Sequence, residues 1–311
     1  MVNESGIHDR DWLGFDWSPW VRLDPREGEL ESLSEGPGLY RVRHDAYDGL
    51  VYVGETGRNL QGRVRALVRG VYDERMPFND PHTASPCLWA IRDRHGPGFE
   101  VSGATPEAAS DPGGRKAMRD ALIGVHRQET GENLVANFGR MPPGYTKSNQ
   151  RSTRIRGARS DDADRSYRDG IPPLPWTNPE GLTDSDWMGL SWSAATALGE
   201  ADAGGGTSDA GGTSGGVDRA AGGVDEAAAA VPDARGLYRL WDPEASPPLE
   251  YVAETVSLRS RFVAHRRNAD ARLRFSYVTR PTHDEKFQLR QAEASLRGAH
   301  WLACGTVPRL Q

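Results

Sequence analysis

The sequence predicts a mixed α/β fold of the α+β class, in which one small module occurs twice in tandem. Each module is expected to be a mostly antiparallel three-stranded sheet flanked by helices. Three observations predict it: a tryptophan motif that recurs, a pair of short apolar runs after each copy, and helical apolar spacing after each pair. The predicted modules cover residues 11–150 and 186–311 of the 311-residue chain.

The recurring tryptophan motif marks the start of each module. Residues 11–18 read Asp-Trp-Leu-Gly-Phe-Asp-Trp-Ser, and residues 186–193 read Asp-Trp-Met-Gly-Leu-Ser-Trp-Ser. Matched tryptophan, glycine and serine positions indicate an internal duplication. Because both copies keep the spacing, we expect the tryptophans to pack an N-terminal segment onto each core; stacking on nucleic-acid bases is the alternative.

Two short apolar runs follow each motif and predict a β-hairpin. Residues 38–41 read Gly-Leu-Tyr-Arg, and residues 236–239 repeat them. Residues 52–56 read Tyr-Val-Gly-Glu-Thr, and residues 251–255 read Tyr-Val-Ala-Glu-Thr. Apolar periodicity after the hairpins predicts the remaining elements: helices at 60–68, 115–127, from 258 and at about 284–301, and strands near 99–101 and 273–278.

Two segments lie outside the repeated pattern. Residues 151–185 are rich in arginine and proline, which predicts a tail of the first module and a linker. Residues 199–230 consist almost entirely of small and polar residues, so they predict a disordered Gly/Ala-rich insertion in the second module.

Composition indicates a soluble globular protein, with 37% hydrophobic and 26% charged residues. A net charge of -6 does not suggest a nucleic-acid binder, although a local basic patch is compatible with it. Cys87 and Cys304 are expected to be incidental thiols. No apolar run approaches the ~20 residues that span a bilayer, and the N-terminus does not resemble a secretory signal, so we expect a cytoplasmic protein without a membrane partner.

A hairpin of Gly-Leu-Tyr and Tyr-Val-Gly, followed by Glu-Thr and an arginine-bearing helix, resembles the GIY-YIG endonuclease family. The resemblance covers residues 36–137 and 234–311. It implies that a tyrosine from each strand and an arginine from the helix surround a scissile phosphate. It further implies that a glutamate on a later helix binds Mg²⁺ or Mn²⁺, and that an asparagine beyond it supports the site.

In the first module the resemblance assigns the phosphate site to Tyr40, Tyr52 and Arg63. Gly54 is the motif glycine, which lets the backbone bend or approach another surface closely. Asn137 takes the place of the supporting asparagine. Arginine suits a phosphate because its planar fork donates two parallel hydrogen bonds.

In the second module the corresponding residues are Tyr238, Tyr251 and Arg261. Glu293 falls where the family's metal-binding glutamate is expected. Two positions depart from the family pattern: Ala253 replaces the motif glycine, and Gln311 stands at the asparagine position.

The first module departs from the family at the metal ligand, where it has Arg119 instead of a glutamate. A cation cannot ligate Mg²⁺ and would repel it. The neighbouring Asp120 is an alternative ligand, although adjacent helix positions are ~100° apart. Arg119 could instead bind phosphate without cutting, and both alternatives stay open.

Further basic residues follow Asn137, namely Lys147, Arg151, Arg154 and Arg156. They predict a weak contact with a nucleic-acid backbone, and a solvated loop is the alternative. His126 and His300 fall at matched positions and are expected to cap or pack rather than to catalyse.

The sequence thus predicts a Mg²⁺-dependent DNA endonuclease, or a close relative, built as a single-chain pseudo-dimer. The alternative is a catalytically decayed module that binds nucleic acid or a protein partner. An asymmetric enzyme, in which the first module recognises DNA and the second cuts it, is a third reading.

Overall fold

The chain forms two four-stranded antiparallel sheets with helices packed on them, which confirms the α+β class. A computed structural model describes residues 6–24, 28–161, 170–199, 226–268 and 272–310. Within these ranges there are eight strands and six α-helices. We call the described residues up to 161 the first half and those from 170 onward the second half.

The first half contains one sheet and three helices. Its strands follow the order β1-β4-β2-β3 across the sheet. The elements are β1 (Val21–Arg22), β2 (Gly38–His44), β3 (Leu50–Thr56), α1 (Leu60–Val71), α2 (Ser85–His95), β4 (Phe99–Ala104) and α3 (Pro112–Thr130).

The second half has a sheet of the same order, β5-β8-β6-β7. The hairpin register also matches, since a bulge between Val42 and Arg43 of β2 has its counterpart between Leu240 and Trp241 of β6. The elements are β5 (Thr196–Ala197), α4 (Glu226–Ala230), β6 (Gly236–Trp241), β7 (Leu249–Thr255), α5 (Leu258–Asn268), β8 (Arg274–Thr279) and α6 (Lys286–Cys304).

Each sheet has four strands rather than the three that the sequence predicts. The additional strands β1 and β5 have two residues each, too few to give a periodic apolar signal. The serine that ends each tryptophan motif connects the preceding segment to the sheet. The amide of Ser18 donates to the Gly103 carbonyl over 2.8 Å, and the amide of Ser193 donates to the Tyr277 carbonyl over the same distance.

Two helices were not expected from the sequence. Residues 85–91 of α2 are all buried, so the helix lacks the one-sided apolar stripe that identifies a surface helix. Helix α4 lies where part of the disordered insertion was predicted, and that part of the prediction is wrong. Its alanines favour a helix, and Ala228 is buried. Residues 200–225 of the insertion lie outside the described residues.

The segment predicted as a tail and linker is packed rather than free where the structure describes it. Ile171, Leu174 and Leu182 are buried in the core of the second half. Earlier, residues 145–159 fold back on themselves, with Thr146 donating to the Ala158 carbonyl over 2.9 Å. Residues 162–169 of this segment lie outside the described residues.

Both tryptophan motifs pack into the core, as the sequence predicts. In the first half, Trp12 and Trp17 flank the buried Arg41, whose Cζ lies 4.4 Å from the ring centroid of Trp17. The guanidinium donates to the carbonyl oxygens of Ile7 and Asp9 over 2.6 and 2.7 Å. It therefore joins the N-terminal segment to β2 through cation–π contacts and backbone carbonyls.

Arg239 has the same role in the second half. Its Cζ lies 4.3 Å from the ring centroid of Trp192 and 5.7 Å from that of Trp187. The guanidinium donates to the Leu182 and Asp184 carbonyls over 2.6 and 2.8 Å. This repeated arrangement explains why both motifs keep their spacing.

Helices α3 and α6 join the two halves. Arg127 of α3 is fully buried and donates to the Ser295 hydroxyl of α6 over 2.6 Å. It also donates to the Ile171 carbonyl over 3.0 Å. Ala294 and Trp301 of α6 belong to the apolar cluster around Trp12. The apolar cluster around Trp12 therefore extends across both halves.

None of the described helices combines the length and apolar character that crossing a bilayer requires. Cys87 and Cys304 are both free thiols, as expected.

Candidate functional site

The hairpin of the first half brings Tyr40 and Tyr52 together with a histidine that sequence analysis did not identify. The two tyrosine rings lie 5.8 Å apart, and Tyr40 is fully buried. The Tyr40 hydroxyl is hydrogen-bonded to Nε2 of His82 over 2.6 Å. Burial first, and then the neighbouring Tyr52, raise the pKa of Tyr40 well above its ordinary value. The hydroxyl is therefore protonated at neutral pH.

Gly54 and Asn137 shape the strand that carries Tyr52. A Cβ on Gly54 would overlap Cζ of Tyr40 and lie 2.6 Å from Cε1 of Tyr52, so the tyrosine pair requires glycine here. The carboxamide of Asn137 accepts from the Val53 amide over 3.0 Å and donates to the Val53 carbonyl over 2.8 Å. Asn137 thus fixes the backbone between Tyr52 and Gly54.

Arg63 lies beside this cluster on α1. Its Nη1 donates to the Pro81 carbonyl over 2.9 Å, next to His82. The charge of Arg63 partly offsets the upward shift in the pKa of Tyr40, which places the guanidinium near that hydroxyl. Tyr40, Tyr52 and Arg63 are thus brought together, with His82 closing the cluster.

The second half forms a similar cluster from different elements. The rings of Tyr238 and Tyr251 lie 5.8 Å apart, and Nε2 of His265 is 3.2 Å from the Tyr238 hydroxyl. This histidine lies on α5, one turn after the exposed Arg261. Burial first, and then Arg261, lower the pKa of His265, so its imidazole is neutral at neutral pH.

Ala253 occupies the place of Gly54 in the second hairpin. It pairs with Tyr238, as Gly54 pairs with Tyr40. The interplanar angle of the tyrosines is 38° here and 54° in the first half, and Tyr238 stacks on Phe275 at 5.5 Å. The second cluster therefore accommodates a methyl group that the first would exclude.

Helices α3 and α6 hold the residues at the predicted metal-ligand position. Arg119 donates to Oδ1 of Asp120 over 2.8 and 2.5 Å. Arg297 donates to the other oxygen of Asp120 and, over 2.5 Å, to Oε1 of Glu293. Two arginines thus alternate with two carboxylates across the junction of the halves. Asp120 has both oxygens bound to arginines, which does not favour it as a replacement metal ligand.

Glu293 is an acidic group in a strongly perturbed environment. Burial raises its pKa to about 7, and the carboxylates of Asp120 and Glu254 also raise it, against the opposing effect of Arg297. Glu293 in turn contributes to the raised pKa of Tyr238, after burial and Tyr251, so its charge acts on the second tyrosine cluster. Perturbed acids in clefts are typical of functional sites.

A cavity of about 500 Å³ lies between the halves. Tyr52, Arg119 and Asn137 of the first half line it, as do Glu254 and Glu293 of the second. No cluster of three or more potential metal-ligating side chains occurs in the described part of the chain. The donor set does fit a hard cation held by one or two carboxylates together with water and phosphate oxygens, which is how Mg²⁺ usually binds.

The predicted basic residues after Asn137 fall into two groups. Arg156 donates to the Met76 carbonyl over 2.6 Å and stacks on Phe78 with its Cζ 4.1 Å from the ring centroid, so it anchors the segment. Arg151 and Arg154 are exposed at the turn, and Lys147 reaches the cavity.

The matched histidines have structural contacts. Nε2 of His126 accepts from the Leu50 amide over 3.0 Å, and burial lowers its pKa to about 4. Nδ1 of His300 is 2.9 Å from the Thr306 carbonyl oxygen. Both arrangements are as expected of packing residues. Gln311 lies outside the described residues.

Sequence analysis missed the two histidines that contact the tyrosines. His82 is 42 positions from Tyr40 in the sequence, and no local pattern predicts that contact. His265 carried a signal, since it lies four residues after Arg261 and shares a helical face with it.

Comparison of the chain with protein-family models, with curated proteins and with solved structures returned no match.

Proposed function

We propose that the protein is a divalent-metal-dependent DNA endonuclease in which the second half cuts and the first half binds. The positions of Arg119 and Glu293 support this division most directly. Both line the cavity between the halves, where Tyr52 of the first half also lies. The charge of Glu293 acts on Tyr238 of the second half, whereas the charge of Arg119 acts on Tyr52 of the first. Only a carboxylate at this position is able to hold Mg²⁺ or Mn²⁺.

The first half is less suited to metal-dependent chemistry because Arg119 stands at the position of Glu293. Carboxylates of both halves have cationic partners, but among the described residues only one oxygen of Glu293 is bound by an arginine, whereas both oxygens of Asp120 are. Glu55, which follows Gly54 on β3, accepts from Nε of Arg115 over 2.6 Å. Asp120 is bound by Arg119 and Arg297. Arg63 and Arg119 remain suited to binding a phosphate backbone.

The chain's own residues in the second half would bind a phosphate and accept a proton. Arg261 is exposed beside Tyr238 and would bind a phosphate oxygen. Burial raises the pKa of Tyr238, so its hydroxyl is protonated, and the neutral His265 lies within hydrogen-bond distance. Nε2 of His265 would therefore act as the proton acceptor.

Hydrolysis would then proceed by attack of a water oxygen on phosphorus with cleavage of the P–O bond to the leaving group. The Tyr238 hydroxyl would accept a proton from the water as it passes its own to Nε2 of His265, and the departing oxygen would take a proton from solvent. Glu293, with Glu254 nearby, would hold Mg²⁺ or Mn²⁺, which would supply positive charge to stabilise the charge that develops on the leaving group.

A second candidate function is binding of nucleic acid without cleavage. The observation that favours it is the contact of Arg297 with Glu293, because the guanidinium competes with any cation for the same carboxylate. In this case both halves would bind the backbone and neither would cut.

Incubation with supercoiled plasmid, in Mg²⁺ or Mn²⁺ and in chelator, tests the proposal. We expect metal-dependent nicking by the wild type and a loss of at least about 100-fold in Glu293→Gln. The matched control is Glu180→Gln, which removes the same charge at an exposed position and should cleave normally. Binding without cleavage by the wild type would support the second candidate. Absence of both at low salt would contradict both nucleic-acid proposals and leave a protein-interaction role.

A further inference from the structure

Lys147 and Arg290 lie on different halves and face the same cavity. Lys147 belongs to the segment that follows Asn137, and Arg290 lies in the second turn of α6. The cavity also contains the polar side chains of Asn79 and Thr83. None of these four residues belongs to either tyrosine cluster.

Lys147 lacks an acidic partner. No ion pair or hydrogen bond of its ammonium group occurs among the residues that the structure describes. Lys147 and Arg290 both line the cavity, and Lys147 as a whole is exposed. Partial burial of its ammonium group first, and then the charge of Arg290, lower the pKa of Lys147. Two cations at the wall of one cavity repel each other, and an anion bound between them would remove that repulsion.

The backbone directs Lys147 toward the cavity. Gly139 has a φ of +73°, and a Cβ there would lie 2.6 Å from Nζ of Lys147. A glycine at this position therefore lets the ammonium group approach the backbone closely. Gly139 also lines the cavity, which places Nζ at its wall.

The carboxylates of the cavity do not neutralise Lys147. Asp120 and Glu293 are bound by Arg119 and Arg297. Oε1 of Glu254 lies 3.7 Å from Nε of Arg290, and both residues belong to the second half. Lys147 therefore contributes an uncompensated positive charge where the two halves meet.

We propose that Lys147 and Arg290 together bind one phosphate group in the cavity between the halves. The site would need both halves, and the neutral side chains of Asn79 and Thr83 would add hydrogen bonds. A phosphate could come from a nucleic-acid backbone or from a free phosphate ion. Assigning it to a DNA backbone rests on the proposed function, whereas binding of a phosphate group does not.

Binding of a labelled DNA duplex, followed by fluorescence anisotropy in chelator over a range of salt, tests the nucleic-acid source. We expect Lys147→Gln to weaken binding about 5-fold to 10-fold and to reduce the slope of log K against log[salt] by about one. Lys116→Gln, which removes the same charge at an exposed position of α3, should bind like the wild type. Arg290→Gln should weaken binding similarly. The variant that combines Lys147→Gln and Arg290→Gln should lose less binding free energy than the sum of the two single losses, because both residues bind the same phosphate.

Thermal unfolding with added inorganic phosphate tests the free-ion source. We expect phosphate to raise the Tm of the wild type and of Lys116→Gln, and to raise that of Lys147→Gln less. Phosphate stabilisation without any DNA effect would support the site with a free ion as ligand. If Lys147→Gln matches the wild type in both measurements, the inference is overturned. Neither measurement depends on cleavage, so failure of the proposed nuclease activity gives a separate result.

Discussion

Gly298 of α6 packs directly on Gly124 of α3: a Cβ on Gly298 would lie 3.2 Å from the carbonyl carbon of Gly124. The reciprocal Cβ on Gly124 would overlap the Ala294 carbonyl oxygen and lie 2.8 Å from its carbon. Two glycines that fall at matched positions of the sequence repeat thus let the helix backbones approach at the junction. This close contact places Arg119 and Glu293 on one cavity.

Replacing Gly124 by alanine should destabilise the protein, because the added methyl group meets backbone atoms that cannot move aside. We expect a loss of about 3 kcal/mol in the free energy of unfolding, measured by urea denaturation. Gly62→Ala is the matched control, since its Cβ would meet only the Asn59 side chain, at 3.2 Å. The control should change stability by no more than about 1 kcal/mol. Equal effects of the two substitutions would contradict the close helix contact.

The tyrosine pair of the first half should not tolerate a methyl group at Gly54. Gly54→Ala should cost about 1–3 kcal/mol, because the rings of Tyr40 and Tyr52 have to shift in a packed core. The reverse change in the second half, Ala253→Gly, should cost about 1 kcal/mol from lost burial and backbone entropy. For both substitutions, urea denaturation measures the change in the free energy of unfolding, and near-UV circular dichroism reports the packing of the tyrosine rings. A neutral Gly54→Ala would mean that the first cluster packs like the second.

Arg41 should be more sensitive than a surface arginine to replacement by lysine. A lysine keeps the charge but cannot both contact the tryptophan rings and donate to the Ile7 and Asp9 carbonyls. We expect Arg41→Lys to cost about 2–4 kcal/mol in thermal or urea unfolding. Arg65→Lys, on the exposed face of α1, should change stability by less than about 0.5 kcal/mol. An equally small effect at Arg41 would show that the tryptophan motif does not depend on it.

Glu293 should make the stability of the wild type fall between about pH 4.5 and 7. Its pKa is raised from 4.5 to about 7 in the folded chain, chiefly by burial. The folded state therefore binds the proton more tightly, and this contribution is complete below the unfolded pKa and is lost as pH rises through the folded pKa. The Glu293→Gln substitution removes the titrating carboxyl and therefore this pH dependence of stability.

Urea denaturation at pH 5 and pH 7.5 gives the change in the free energy of unfolding over that pH interval. This change, rather than the stability at either pH, is compared between the wild type and Glu293→Gln. The wild type should lose more stability than Glu293→Gln over that interval. Identical changes in the two proteins would show that Glu293 titrates normally. Arg297 keeps Asp120 as a partner in the variant, which limits the disruption.

Local sequence pattern was sufficient for most of the fold. The hairpins, the helices that follow them and the positions of the tyrosines could be read from strand and helix periodicity. Helix α2 was not predicted because residues 85–91 are buried on every side, so they show no one-sided apolar pattern. Strands β1 and β5 were not predicted because two residues are too few to form a pattern. The packing of residues 171–182 was also not visible, since scattered leucines in a proline-rich segment resemble a linker.

The site was less predictable because its decisive contacts are distant in sequence. Arg297 binds Asp120 although the two residues are 177 positions apart in the sequence, and no local pattern predicts that pairing. The same holds for His82 and Tyr40. Sequence repetition identified which residues correspond between the halves, but only the helix contact places Arg119 and Glu293 in one cavity.

The cleavage rates of two double variants test the central proposal, that the second half cuts and the first half binds. Tyr238→Phe with Tyr251→Phe removes the hydroxyls of the second cluster, and Tyr40→Phe with Tyr52→Phe removes those of the first. With supercoiled plasmid and Mn²⁺, we predict that the second-half variant loses at least about 100-fold in nicking rate, whereas the first-half variant retains nicking at a saturating protein concentration. Loss of nicking in the first-half variant, with full activity in the second-half variant, would contradict the account.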